Sequence, residues 1–144
     1  MYIKALDYVE NDQVFYPIDS LENEYETNHK GVIRNCNSKT VLSGTVSNGT
    51  HVYIKVRGVV FPLNKLFLMA FFPMHTTFET YQNVLKVGAI DNDITNVTRE
   101  NLFWKIPDKV GIECKYKKGY YSIAGNPKII INKDLRFYDL VKDI

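Results

Sequence analysis

The sequence predicts an α+β fold: a small antiparallel sheet with a packed helix, then a ββα-like unit, then a tail of hairpin and helix. Three observations predict it. His51–Val56 alternates apolar Val52, Ile54 and Val56 with His51, Tyr53 and Lys55, the two-residue period of a half-buried strand. Leu63, Leu66, Phe67, Ala70 and Phe71 recur at helical spacing and stop before Pro73. In the tail, Glu113–Tyr116 and Tyr120–Ile123 flank Lys118-Gly119 as the two arms of a hairpin. With 144 residues, 45% of them hydrophobic and 13% aromatic, the chain has the length of one domain and enough apolar surface for a core.

Taken in order, residues 1–24 read as an acidic extension, an edge strand or cap with Pro17 interrupting short apolar groups. Residues 25–110 form the body. Gly31–Arg34 and Thr40–Ser43 read as short strands, and Asn48-Gly49 is a hairpin signal because both residues tolerate positive φ. His51–Val56 follows, Arg57-Gly58 turns the chain, and Val59–Phe61 returns it into the predicted helix. A loop with His75, Thr76 and Thr77 leads to a strand at Val84–Val87, a turn at Asp91-Asn92-Asp93 and a short helix over Thr95–Phe103. Residues 111–144 supply the hairpin, a strand at Lys128–Ile131 and a terminal helix, with Asn132 as its cap and Phe137, Leu140, Val141 and Ile144 on one face.

The net charge of +2 is a cancellation. Residues 1–30 hold seven acids against Lys4 and Lys30, a net of −5, whereas residues 31–72 hold Arg34, Lys39, Lys55, Arg57 and Lys65 and no acid, a net of +5. Residues 73–110 come to −1 and residues 111–144 to +3. An acid-free stretch rich in Ser, Thr, Asn and Gly suits a phosphate-facing surface. Cys36 and Cys114 lie far apart without a C-x-x-C pair, and no charged, apolar leader opens the chain, so reduced thiols and a cytoplasmic location are expected. The apolar run near Phe61–Pro73 is too short to span a bilayer. His29, His51 and His75 lack metal-site spacing.

Three stretches resemble a known family. Tyr25-Glu-Thr-Asn28 with Gly31-Val-Ile-Arg34 is similar to a motif that typically reads Tyr-Glu-Val-Ser-Asn-x-Gly-x-Val-Arg. Phe61-Pro-Leu-Asn-Lys-Leu-Phe-Leu-Met-Ala-Phe-Phe-Pro73 is similar to a helix reading Val-His-Arg-Leu-Val-Ala-x-Ala-Phe-x-Pro, with Asn64 where His is usual. Val87-Gly-Ala-Ile-Asp-Asn-Asp93 and Asn96-Val-Thr-Arg-Glu-Asn-Leu-Phe-Trp104 resemble Val-Asn-His-Ile-Asp-Gly-Asn followed by Asn-Asn-x-x-x-Asn-Leu-x-Trp, in register and without a gap. In this order they resemble the small HNH endonucleases of phages and mobile introns that carry a nuclease-associated DNA-binding module.

The resemblance implies that a His activates water while a preceding Asn or Asp and a final Asn hold a divalent metal, Mg²⁺ if that site works. Here the base position is Ala89 and the ligand positions are Gly88 and Asn101. The expectation is therefore a catalytically degenerate member with no metal or other cofactor, bound to DNA rather than to a membrane or a small-molecule substrate. The expected contacts are Arg34, Lys39, Lys55, Arg57 and Lys65 in the acid-free stretch, with Tyr53 between them, and Lys115, Lys117 and Lys118 in the tail beside Tyr116, Tyr120 and Tyr121. Two alternatives stay open: a protein that captures and inhibits a host nucleic-acid enzyme or defence factor through its acidic head, and a nuclease with a relocated site.

Overall fold

The alternating stretch at His51–Val56 occupies the middle of a three-stranded sheet, and the remaining elements gather around the helix that follows it. The computed structural model describes residues 2–5, 9–47, 51–105, 109–113, 117–123, 126–132 and 136–139. Its elements are β1 (Tyr2–Lys4), β2 (Tyr16–Pro17), β3 (Tyr25–Thr27), β4 (Ile33–Asn35), β5 (Thr45–Ser47), β6 (His51–Val56), β7 (Val59–Pro62), α1 (Leu63–Phe71), α2 (Phe78–Asn83), β8 (Lys86–Ala89), β9 (Leu102–Lys105), β10 (Lys109–Glu113), β11 (Tyr120–Ile123), β12 (Asn126–Asn132) and β13 (Phe137–Asp139). Among the described residues they form antiparallel sheets ordered β1-β9-β8, β2-β3-β4, β5-β6-β7 and β10-β11-β12-β13. The fold class is α+β.

Turn chemistry explains the central sheet. Arg57 and Gly58 take φ of +50° and +75°, matching the twist of a two-residue loop between paired Val56 and Val59. Asn48-Gly49 lies outside the described residues, and β5 and β6 pair on either side of it with Ser47 opposite His51. In the neighbouring hairpin the Asn28 side-chain oxygen accepts the N–H groups of Lys30 and Val32 at 3.0 Å each. Gly31, at φ +79°, completes that turn between β3 and β4.

One packed face is expected of α1, but most of its circumference is buried: Asn64, Leu66, Phe67, Leu68, Met69 and Phe71. The reason is that α1 touches β2 and β3, β6 and β7, and β8 and β9. Ile18 and Leu21, 0% and 1% exposed, enter the same core, and the Asp19 N–H donates to the Met69 carbonyl at 3.1 Å. The acidic segment is thus joined to the body by edge strands β1 and β2 and enters the core through Ile18 and Leu21.

Four expectations need correction. Thr40–Ser43 forms only a single bridge, Val41 to Arg34, and no strand. The predicted strand at Val84 starts at Lys86, after α2, whose N-cap Thr77 accepts the Thr80 N–H. Thr95–Phe103 is not helical, so the span Val84–Trp104 is strand, loop and strand. Asp91 and Asp93 accept the N–H groups of Asp93 and Thr95, local bonds that compete with helix formation. Leu102 and Trp104, buried, then alternate with Phe103 and Lys105 as β9. The terminal helix is also absent over Phe137–Asp139, which pairs with β12; Asn132 caps the intervening turn by accepting the Arg136 N–H at 2.9 Å. Residues 140–144 lie outside the described residues. No helix among those described is long and apolar enough to cross a membrane.

Candidate nucleic-acid interface

The three stretches that carry the family resemblance meet in space. A methyl placed on Gly31 would lie 3.6 Å from Leu63 and 3.7 Å from Val97, one atom from each of the other two stretches. Asn64, buried on α1, donates its amide to the Ile94 carbonyl at 3.0 Å and so ties the helix to the loop between β8 and β9.

The positions where the resembled family keeps its chemistry are taken up here by strand packing and by closure of that loop. Ala89 pairs with Leu102 and packs against the core, so a side chain there lies on the inward face of the hairpin. Gly88 is opposite Phe103, and a Cβ at 88 would fall 2.5 Å from Phe103 Cζ, closer than real Cβ contacts come. Asn101 is 6% exposed. Its oxygen accepts the Asp91 N–H at 3.0 Å, and its amide donates to the Asp93 and Asn96 carbonyls at 3.0 and 2.9 Å. It closes the loop with every donor in use. These residues do not fit a divalent metal, whose sites recruit carboxylates and phosphates. Among the described residues, no three His, Cys, Asp or Glu side chains converge on a point that would hold one.

The basic residues separate into two groups. In the first, acids of the head neutralise bases of the body. Arg34 donates from Nε to Glu26 at 2.5 Å and lies over the Phe15 ring at 3.6 Å. Lys39 approaches the same Glu26 oxygen at 3.6 Å. Arg57 donates to Glu24 through Nε and Nη2, at 2.8 and 2.6 Å. Asp12 holds His29 at 2.5 Å and Lys30 at 3.1 Å, and these bonds, that of His29 foremost, keep its carboxyl below the usual range. Arg99 bridges Glu100 at 2.7 Å and Glu10 at 3.7 Å.

In the second group no carboxylate answers among the described residues. His51, Tyr53 and Lys55 alternate along β6 and line its outward face, where Tyr53 and Lys55 border an open depression with Thr45 and Val60. The row continues into a cleft of about 240 Å³ lined by His51, Tyr53, Asn64, Lys65, Lys86 and Thr95 and walled by apolar side chains. No Asp or Glu lines it. Lys65 donates to the Tyr81 carbonyl at 2.7 Å and to that of Gln82 at 3.4 Å, at the end of α2. Burial, and secondarily Lys86, lower its pKa from 10.5 to about 8.

In the tail, Lys117 sits 5.1 Å from the Tyr120 ring and Lys118 is exposed at the turn. Lys115 and Tyr116 lie outside the described residues. Sequence reasoning missed Lys86, Lys105 and the part His51 plays. The β8–β9 register sets Lys86 directly opposite Lys105, a like-charge pair that only the pairing of the strands discloses. Compared with family models, curated proteins and solved structures, the chain matches none.

Proposed function

We propose that this protein binds DNA without cleaving it, on an HNH-like arrangement whose catalytic positions have been given over to packing. The observation that carries the reading is the outward row His51, Tyr53 and Lys55, continuous with a cleft whose lysines meet no carboxylate. Uncompensated cations beside an aromatic ring attract a polyanion and position its backbone. The convergence of Gly31, Leu63 and Val97 favours the family arrangement, whereas the strand at Leu102–Lys105, in place of the expected helix of a ββα unit, weighs against it. The packing of Phe103 where a ligand at 88 would stand, and the full use of Asn101, support the absence of cleavage.

The alternative of a host protein held by the acidic head is favoured less, because four of its seven acids, Glu10, Asp12, Glu24 and Glu26, have basic partners within the chain. Fluorescence anisotropy of the whole chain with labelled duplex DNA tests the proposal. Binding at low salt that weakens steeply as salt rises, and falls on Lys55→Glu, is the expected result. No binding at low salt ends it.

A further inference from the structure

The cleft between β6, α1 and the β8–β9 hairpin has features that general attraction to a DNA backbone does not require. Lys65 and Lys86 come from separate elements and converge on one concavity. Lys65 is largely withdrawn from water beside a second cation, and the nearest groups that offset it are two neutral carbonyls. A partly buried cation beside a second, exposed one, with no acid lining the cleft, is stabilised when a group of opposite sign completes the set.

The first turn of α1 supplies three further lining residues, Leu63, Asn64 and Lys65. Its N-cap is Pro62, which makes no side-chain cap, and no acid sits in that turn. The Leu63 N–H continues the β6–β7 ladder past the Tyr53–Pro62 pair, so the N–H groups after it and the positive end of the helix are left for another partner. Thr95 also lines the cleft, with its hydroxyl donated to the Asp93 carboxylate. The remaining lining is apolar: Val52, Pro62, Val87, Ile94 and Val97. The lining therefore combines cations that suit a multiply charged anion with apolar surface that suits an uncharged body.

We propose that this cleft is a seat for a single phosphate group joined to a nucleoside-sized apolar or aromatic body, with Lys65, Lys86 and the start of α1 on the phosphate. Its size, about 240 Å³, falls below the roughly 300–1,000 Å³ of sites that enclose a drug-sized ligand. It admits one nucleotide at most, either free or at the phosphorylated end of a strand. The inference goes beyond DNA contact on the sheet face, because the seat is assembled from residues of α1 and β8 as well as β6.

Amide NMR of the whole chain provides the test, with titrations of inorganic phosphate, a deoxynucleoside 5′-monophosphate and the same nucleoside without phosphate. The expected result is saturable shifts at Asn64, Lys65, Lys86 and Thr95 for phosphate and the monophosphate, with the monophosphate binding on the order of 1 mM. The nucleoside alone gives no such shifts. Lys86→Gln, an exposed substitution, weakens the monophosphate about tenfold, and His51→Gln provides a second variant.

Oligonucleotides with and without a 5′-phosphate separate the sources: preference for the phosphorylated end assigns the seat to strand termini, and equal binding of the two assigns it to free nucleotide. Shifts absent at 10 mM phosphate, equal for nucleoside and nucleotide, or unchanged by both substitutions overturn the proposal. Loss of DNA binding in Lys55→Glu with cleft shifts intact separates this seat from the sheet face.

Discussion

Arg34 and Lys55 both belong to the acid-free stretch, on neighbouring sheets, and they have opposite surroundings. Arg34 is directly opposite Glu26 across β3 and β4, clamped to it and laid over Phe15. Lys55 projects from β6 into an open depression without an acid on its border. The first region uses its charge to hold the head of the chain to its body; the second leaves its charge facing open space. A run of bases in a sequence is therefore not yet a surface, because the carboxylates that fold back onto it determine which cations stay available.

The largest effect that would test this contrast is on DNA affinity. Reversing both Lys55 and Lys86 to Glu is expected to weaken binding about 100-fold at low salt and to flatten the dependence on salt. Arg57→Gln, in the neutralised region, should change affinity less than about twofold. Equal losses in anisotropy measurements would erase the distinction between the two regions.

Stability should show the reverse order. Glu26→Gln leaves Arg34, 24% exposed, without its carboxylate and is expected to cost about 2 kcal/mol, a fall in Tm of roughly 4–8 °C. Lys86→Gln should stay within about 0.5 kcal/mol. Urea or thermal unfolding of the two variants side by side checks both values.

A smaller effect lies in pH dependence. The folded-state pKa of Lys65 is depressed to about 8 from 10.5, so between those values the unfolded chain binds more protons than the folded one. Stability contributed by this group accordingly rises as pH climbs through that window. Lys86 acts on it from β8, His51 lines the same cleft from β6, and the carbonyls of Tyr81 and Gln82 at the end of α2 accept its bonds. Removing Lys86 relieves part of the depression, and Lys86→Gln should show a shallower rise in urea midpoint between about pH 8 and 9.5. Cys36 and Tyr81, both shifted upward mainly by burial, contribute the opposite slope at higher pH, and it cancels in the difference between the two proteins.

The smallest expected effect is at Arg57. Asparagine suits its positive φ better, while the lost pair with exposed Glu24 is worth about 0–1 kcal/mol. Arg57→Asn should therefore leave stability within about 0.5 kcal/mol by equilibrium unfolding.

The elements readable from sequence were those whose signal is local. β6 shows its alternation, Arg57-Gly58 marks the turn after it, and α1 starts and stops beside prolines. Phe78–Asn83 is too short for a periodic signal; its only marker is Thr77 as N-cap with Glu79 in the first turn. β9 was obscured by the spacing of Asn96, Thr98 and Asn101, although Leu102 and Trp104 alternate with Phe103 and Lys105. The paired and unpaired cations could not be sorted at all, since Glu24 meets Arg57 and Lys65 meets Lys86 only after the sheets are assembled.

The fit of Gly88 against Phe103 bears on how side chains could be added to this hairpin. A residue larger than glycine at 88 must move the far edge of the Phe103 ring, which is itself half-buried. On the proposed HNH-like reading, restoring a ligand at 88 and a base at 89 also requires freeing Asn101 from the loop it closes. Packing of this kind acts as a ratchet, because the changes that would undo it depend on one another.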